Sequence, residues 1–239
     1  MERAIKGGYV ALAQGLGRVG DAAGLTGWLE RHGREHRLAH WGRSLFAIHD
    51  VEKLIALDVP WWTYGAIDAV RAFLAERPAA RVFEYGSGAS TAWLSTRAAS
   101  VTSVEHHEGW HARVRALVPD NVDLRLVPPD DRPAGDALYL SEKAGELGAS
   151  FERYAREIDA AQGPFDLVVI DGRARAACLW HARGHLAPGG LIVFDNSHRT
   201  RYRKAIDGSG MNTRRLRGLT PALPYSDETA LLSEIAGQP

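Results

Sequence analysis

Residues 81–91 read RVFEYGSGAST, an apolar run that ends in two closely spaced glycines. The apolar part predicts a buried strand, and the glycines predict a sharp turn into a helix. Such a turn presents backbone to a ligand, because glycine permits close approach and the first amides of a helix have no partners within it. A dinucleotide fingerprint would need a third glycine where Thr91 stands, so a ligand without pyrophosphate is favoured. The alternative is a tight turn that binds nothing.

A second acidic residue follows at the spacing expected for a nucleoside site. Residues 101–105, VTSVE, predict the next strand and end at Glu105. In a strand–helix–strand unit, an acid about 20 residues after the first turn lies where it accepts hydrogen bonds from ribose hydroxyls. Taken alone, Glu105 is equally well interpreted as a solvated carboxylate at a strand end.

Together, residues 84–88 and Glu105 resemble the cofactor site of class I S-adenosylmethionine-dependent methyltransferases. The resemblance implies an α/β fold: a Rossmann-like, doubly wound, mostly parallel seven-stranded sheet with a closing antiparallel strand. It also implies that S-adenosylmethionine is the cofactor. The cofactor-binding residues that it implies are Glu84, Gly86, Ser87, Gly88, Ser90, Thr91, Glu105, His106 and Asp171.

Later segments continue the alternation of strands and helices. We predict strands at residues 123–127, 165–171 and 191–194, with a turn at 186–190, and a closing pair of strands at 214–219 and 229–234. We predict helices at residues 92–99, around 150–154 with Ser150 as the N-cap, and from the end of the fourth strand to about His185.

The chain divides at Pro60, which opens the segment leading into the core. Residues 1–60 are predicted to form an N-terminal helical cap, and residues 61–239 the methyltransferase domain. Apolar residues near the N-terminus recur at helical spacing, and packing against the domain or a subunit partner is favoured over a membrane surface. Homo-oligomerisation through these helices is therefore one expectation. The apolar residues are Tyr9, Leu12, Leu16 and Val19.

Composition favours a soluble protein with a small-molecule partner. Lys plus Arg and Asp plus Glu each number 29, so the formal net charge is zero and nucleic acid is not expected as a partner. The single cysteine, Cys178, cannot form an intrachain disulfide, and no apolar run is as long as a membrane span. We therefore expect a cytoplasmic location.

Two further strand ends carry acids: Asp171 ends the fourth predicted strand, and Asp195 and Asn196 follow the fifth. Their oxygens suit Mg²⁺ and resemble the metal site of catechol O-methyltransferase-like enzymes. The catalytic lysine of that family would fall near Ala174, so that base is missing from this sequence. Direct binding of cofactor and substrate by the acids, or helix capping, is the alternative to a metal. Residues 171–175, with residues 195–196, are also similar to a group of little-characterised bacterial methyltransferases.

Candidate catalytic residues are the groups that could take a proton from the acceptor, namely Asp171, Asp195 and His198. Candidate substrate-binding residues are aromatic or basic: Trp62, Tyr64, Arg173 and Arg175. The two arginines suit an anionic substrate or, equally, a solvated helix start. Trp61 is predicted to pack in the core. The zinc-protease pattern HEGWH at residues 107–111 is interpreted as a coincidence, because Gly109 weakens the helix that such a site requires.

The expected function is transfer of a methyl group from S-adenosylmethionine to an oxygen of a small molecule, with nitrogen as the second choice. An aminopropyltransferase has the same expected fold, but Arg173 and Arg175 disfavour its cationic acceptor. A non-catalytic nucleoside-binding or assembly module is the other alternative. Such a module would tolerate the loss of Asp171, Asp195 and His198.

Overall fold

The computed structural model describes residue 27 and residues 36–235, except residues 49, 133, 134 and 144. The predicted amphipathic segment with Tyr9, Leu12, Leu16 and Val19 lies outside the described residues. Within them, no helix is both long enough and apolar enough to cross a membrane.

Seven strands form one sheet in the order β3-β2-β1-β4-β5-β7-β6. They are β1 (Arg81–Tyr85), β2 (Ser100–Glu105), β3 (Val122–Leu126), β4 (Phe165–Ile170), β5 (Leu186–Phe194), β6 (Asn212–Gly218) and β7 (Asp227–Ser233). Strands β1 to β5 pair in parallel, whereas β7 lies antiparallel between β5 and β6. The predicted doubly wound sheet with a closing antiparallel strand is confirmed. Strand order reverses between β1 and β4, which is where such sheets bind ligands.

Eight α-helices belong to the described part of the chain. They are α1 (Arg37–Ser44), α2 (Val51–Ala56), α3 (Tyr64–Ala75), α4 (Ala89–Ser95), α5 (Glu108–Arg115), α6 (Glu152–Ala160), α7 (Arg175–Ala182) and α8 (Thr200–Asp207). Short 3₁₀ turns occupy Leu45–Ala47, Ala137–Tyr139 and Arg183–His185.

The sheet is covered on both faces, so its parallel strands are buried on both sides. Successive residues of β1 point to opposite faces: Val82 joins the apolar cluster under α3 and α4, while Phe83 and Tyr85 join the cluster under α6 and α7. Val51 and Leu54 of α2 belong to the first of these clusters. The described part of the predicted cap therefore packs into the same core as the domain.

Two local predictions need correction. Strand β5 begins at Leu186 instead of 191, because Phe165 pairs with Leu186 and a register shift accommodates the proline and glycines that follow. Ser150 does not cap α6. Its hydroxyl donates to Asp130, and the same Asp130 oxygen accepts the backbone N–H of Glu152 at 2.7 Å, so this distant carboxylate binds the first helical amide.

Candidate active site

The glycine turn after β1 touches the turn after β4. A Cβ added at Gly86 would lie 2.8 Å from Gly172 Cα, and Gly86 has a φ of +94°. A Cβ at Gly172 would lie 1.9 Å from the Tyr154 hydroxyl. Gly86 requires glycine because the two turns meet backbone to backbone at the switch point of the sheet, and Gly172 because the Tyr154 hydroxyl fills the space of a Cβ.

Glu84 supports this turn from beneath. The side chain is fully buried, and its carboxylate accepts hydrogen bonds from the hydroxyls of Ser90, Thr91 and Ser103 at 2.5, 2.5 and 2.6 Å. Thr91 Oγ1 in turn accepts the Gly88 N–H at 2.9 Å. Burial raises the pKa of Glu84 to about 7, although the three hydroxyls act in the opposite direction. Glu84 and Thr91 thus hold the shape of the turn and do not line a cavity.

A cavity of about 560 Å³ opens in front of the glycine turn. Seven of the nine predicted cofactor residues line it: Gly86, Ser87, Gly88, Ser90, Glu105, His106 and Asp171. The volume lies within the range of pockets that hold cofactors. The lining combines polar groups with apolar and aromatic side chains, which suits a nucleoside.

Glu105 lies at the edge of this cavity as an ionised carboxylate. Its Oε1 accepts the backbone N–H groups of His106 and His107, both at 2.8 Å, and its Oε2 accepts the Ser87 hydroxyl at 3.2 Å. Burial would raise the pKa of Glu105, but these hydrogen bonds and the neighbouring His106 ring together lower it. A carboxylate oxygen accepts more than one hydrogen bond, so Oε2 retains capacity for a ligand hydroxyl.

Two tryptophans that are not among the predicted cofactor-binding residues also line the cofactor cavity. Trp110 lines it and donates its indole N–H to the Ser87 carbonyl oxygen at 2.8 Å. Trp61 lines it as well, and it also packs against the apolar core as predicted. The sequence could have suggested Trp110 as a cofactor-binding residue, because it follows Glu105 closely within the HEGWH stretch.

Trp62 and Tyr64, predicted to line the substrate site, lie in the core instead. Trp62 is fully buried and meets Trp93 edge to face, with ring centroids 6.0 Å apart. The Tyr64 hydroxyl lies 2.8 Å from Nδ1 of the His40 ring. The sequence does not indicate that Trp62 and Tyr64 face inward, because residues 60–63 lie outside regular helix and strand and so have no periodicity.

A second cavity, of about 680 Å³, adjoins the first. The two cavities share three lining residues, Lys143, Gly172 and Arg173. The rest of the second cavity is formed by residues 137–142, the start of α7, Asn196 and the segment 199–205. Two ligands, one in each cavity, would therefore meet at the wall that the cavities share.

The acids after β4 and β5 are joined by an internal cation, Arg175. Its guanidinium is buried and donates to the Asp171 carboxylate at 2.6 Å and to the main-chain oxygens of Asp171, Gly172 and Asp195. Burial raises the pKa of Asp171, and Arg175 opposes this change. Arg175 also lines the second cavity, but its donors are engaged by the protein, so its predicted role towards an anionic substrate is not supported by these contacts.

The predicted Mg²⁺ ligands are engaged elsewhere. Asp195 is buried and accepts the Thr229 hydroxyl at 2.8 Å, and the Asn196 amide donates to Asp227 at 2.9 Å. In the described residues no group of three or more His, Cys, Asp or Glu side chains could hold a metal ion. Since Arg175 already supplies positive charge to Asp171, these residues do not fit a Mg²⁺ ion.

Two predicted catalytic residues line neither cavity. Asp195 is buried, and burial and the neighbouring Asp171 raise its pKa well above the usual range. His198 is half exposed, and its Nδ1 lies 2.9 Å from Asp227. In the HEGWH stretch, His107 caps α5 by accepting the Trp110 N–H, whereas His111 lies beside the Leu124 carbonyl. These two histidines have separate partners in the protein.

Comparisons with known proteins agree with this geometry. Residues 83–197 match the family described as "Methyltransferase domain". Similar solved structures include the O-methyltransferase from Bacillus cereus in complex with SAH (17% identity, 77% of this chain and 90% of that chain, TM-score 0.54). Others are cofactor-bound Rv0187 from MTB (21%, 78% and 88%, 0.52) and a putative rRNA-methylase from Clostridium thermocellum (12%, 74% and 100%, 0.50). At these identities the structures show the fold alone. No curated protein is significantly similar to the chain in sequence.

Proposed function

This chain carries a class I, S-adenosylmethionine-dependent methyltransferase domain, and from that premise we propose that it methylates an oxygen of a small molecule bound in the second cavity. The observation that carries this proposal is the common wall of Lys143, Gly172 and Arg173. Alignment of donor and acceptor is the main contribution that a protein makes to such a transfer. Adjoining cavities of about 560 and 680 Å³ with one shared wall are suited to that alignment.

On the cofactor side, Glu105 would accept hydrogen bonds from the ribose, and Trp61 and Trp110 would flank the base. Asp171 lines the cavity close to the shared wall, where a carboxylate would attract the charged amino-acid part of the cofactor. When bound, S-adenosylmethionine supplies a sulfonium methyl group, and its transfer forms a C–O bond as the C–S bond breaks, leaving S-adenosylhomocysteine.

The acceptor hydroxyl must also lose a proton, and we assign that proton to Lys143. Its side chain lines both cavities. Lys143 is an exposed residue, but partial desolvation lowers its pKa, and the cations Arg173, Arg175 and Arg199 lower it further, more than Glu146 raises it. A lysine with a lowered pKa can act as a general base. Asp171 is the second candidate for this role, whereas Asp195 and His198 lie away from the shared wall.

The charge of the second cavity bears on the alternatives. Its lining includes several cations, so a polyamine acceptor, as in aminopropyl transfer, would be repelled. Its volume is that of a small-molecule site, which favours a small acceptor over a nucleic acid. A non-catalytic nucleoside-binding module would bind the cofactor but transfer no methyl group.

Calorimetric titration with S-adenosylhomocysteine, with Mg²⁺ and again with a chelator, tests the cofactor side. We expect equal binding in both conditions and at least roughly tenfold weaker binding in Glu105→Ala, since a hydrogen bond to a charged group contributes about 1.5–3 kcal/mol. The exposed neighbour Glu108 provides the matched control, Glu108→Gln. Absence of binding to the wild-type protein in both conditions would refute the proposal.

Methyl transfer to hydroxyl-bearing small molecules, followed with methyl-labelled cofactor, tests the acceptor side. We expect Lys143→Met to lower kcat by about 100-fold, the usual contribution of a general base, while the affinity for S-adenosylhomocysteine stays close to that of the wild type. The variant should also lose the rise of the rate with pH. A normal kcat and pH profile in Lys143→Met would exclude Lys143 as the base.

A further inference from the structure

Part of the second cavity is not shared with the cofactor cavity, and we call the part formed by the segment after β5 and the first turns of α8 its far end. Three of the side chains that line this far end are basic: Arg199, Arg201 and Lys204. The chain as a whole has zero formal net charge, so this concentration of positive charge is local. It needs a physical explanation, because like charges around one cavity repel each other.

The lining of the whole cavity is unevenly charged. It includes six basic residues and one acidic residue, Glu142. Two of the basic residues are neutralised by ion pairs, Arg173 with Glu146 and Arg175 with Asp171. The six basic residues are Lys143, Arg173, Arg175, Arg199, Arg201 and Lys204.

The three cations at the far end lack such partners. Considering residues 36–235 without the four gaps, none of Arg199, Arg201 and Lys204 forms an ion pair. Arg201 lies against the Tyr202 ring, with its guanidinium carbon 4.8 Å from the ring centroid. All three residues are exposed, and solvated surface cations are common, but these three line one cavity that also includes the wall shared with the cofactor cavity.

We propose that the acceptor carries a phosphate or carboxylate group, and that Arg199, Arg201 and Lys204 bind it at the far end of the second cavity. The anionic group would direct the other end of the acceptor, with its nucleophilic oxygen, to the wall shared with the cofactor cavity. Arginine suits this role because its planar guanidinium pairs with carboxylate and phosphate oxygens in a bidentate manner. This inference rests on the proposed function, since it names the substrate class of the same site.

The positive field reaches the shared wall, which supports the assignment. After burial, the causes of the lowered pKa of Lys143 include Arg173, Arg175 and Arg199, so cations from the shared and the unshared parts of the lining act on one group. An anion bound at the far end would be attracted by the same field. The cavity volume of about 680 Å³ suits a small molecule with one or two anionic groups better than a nucleic-acid strand.

The test uses the full chain saturated with S-adenosylhomocysteine and titrated by calorimetry with two compact anions, inorganic pyrophosphate and citrate. The variant neutralises all three cations: Arg199→Gln, Arg201→Gln and Lys204→Gln. The matched control is Arg203→Gln, because Arg203 is on the same helix and does not line the cavity. We expect saturable binding of at least one probe to the wild type and the control, and at least roughly tenfold weaker binding to the triple variant. The preferred probe distinguishes phosphate from carboxylate.

Each outcome separates this inference from the proposed function. Equal anion binding by wild type and triple variant, or no saturable binding of either probe, would overturn the anionic acceptor. A third result would also overturn the small anionic acceptor: the wild type binds a 12-nucleotide RNA tightly but is not saturated by pyrophosphate or citrate, and the triple variant does not bind the RNA. The affinity for S-adenosylhomocysteine should be unchanged in the triple variant, which also shows that it is folded. A wild type that does not bind S-adenosylhomocysteine would refute the proposed function, whereas a wild type that binds it but neither anion would overturn only the anionic acceptor.

Discussion

Replacing Glu84 with Gln should remove a pH-dependent loss of stability from the protein. The Glu84 carboxyl group is completely buried, and burial raises its pKa from 4.5 to about 7. The folded protein therefore holds this proton more tightly than the unfolded chain does. The resulting stability is fully present below pH 4.5 and is lost as the pH rises through about 7.

The size of the effect follows from the shift in pKa. One pKa unit corresponds to about 1.4 kcal/mol, so the full change is about 3.5 kcal/mol, of which roughly 2.5 kcal/mol falls between about pH 5 and about pH 8. In Glu84→Gln the group does not titrate. The difference in free energy of unfolding between variant and wild type should move by that amount in favour of the variant as the pH is raised.

Urea denaturation followed by tryptophan fluorescence at closely spaced pH values measures this difference. Groups that titrate in both proteins cancel in the comparison. Glu76→Gln is the control, because the Glu76 side chain is 80% exposed at the end of α3. If the difference in free energy of unfolding between Glu84→Gln and the wild type stays constant across the pH range, the pKa of Glu84 is not raised. The inference that burial of Glu84 beneath the glycine turn raises this pKa would then be wrong.

Three further predictions concern the two turns and the cofactor cavity. Gly86→Ala should destabilise the protein by roughly 1–3 kcal/mol or more, because the added Cβ would lie 2.8 Å from the facing backbone at a φ of +94°; an unchanged thermal midpoint would contradict this. Arg175→Met should lower the free energy of unfolding by about 3–5 kcal/mol, since it leaves the buried end of Asp171 without its cation. Chemical denaturation measures that loss, and a change below about 1 kcal/mol would show that the ion pair is not needed. Trp110→Phe should weaken S-adenosylhomocysteine binding about three- to tenfold in calorimetry, because the hydrogen bond to the Ser87 carbonyl is lost while a ring remains; equal affinities would exclude that contribution.

Sequence reasoning succeeded where one local pattern decides the structure. The strands around Phe83 and Val168 are apolar runs bounded by turn residues, and buried parallel strands have few other sequence solutions. It failed at the start of β5, because Pro188 and the two glycines after it are typical of a turn, whereas pairing with β4 extends the strand back to Leu186. Tertiary pairing outweighed local preference there.

The candidate site shows the same division. Glu105 was identifiable from its spacing, but the separate roles of Glu84 and Glu105 were not, since one carboxylate is bound by three hydroxyls below the turn and the other lies at the cavity. The basic run around Arg199 is visible in the sequence. Its relation to Lys143 is not, because the two are more than 50 residues apart along the chain and meet only around one cavity.

The sequence by itself determined the strand–turn–helix around Gly86 and the alternation of buried strands with helices, because these depend on backbone freedom and on short-range periodicity. The class of cofactor followed from the resemblance of residues 84–88 and Glu105 to a known cofactor site. Only the tertiary structure decided which aromatic residue faces the cavity, that Arg175 occupies the place between the strand-end acids, and that two cavities share a wall at Lys143. Those outcomes depend on distances between segments far apart in the chain. Such distances are set when helices pack on both faces of the sheet, and no local sequence pattern specifies them.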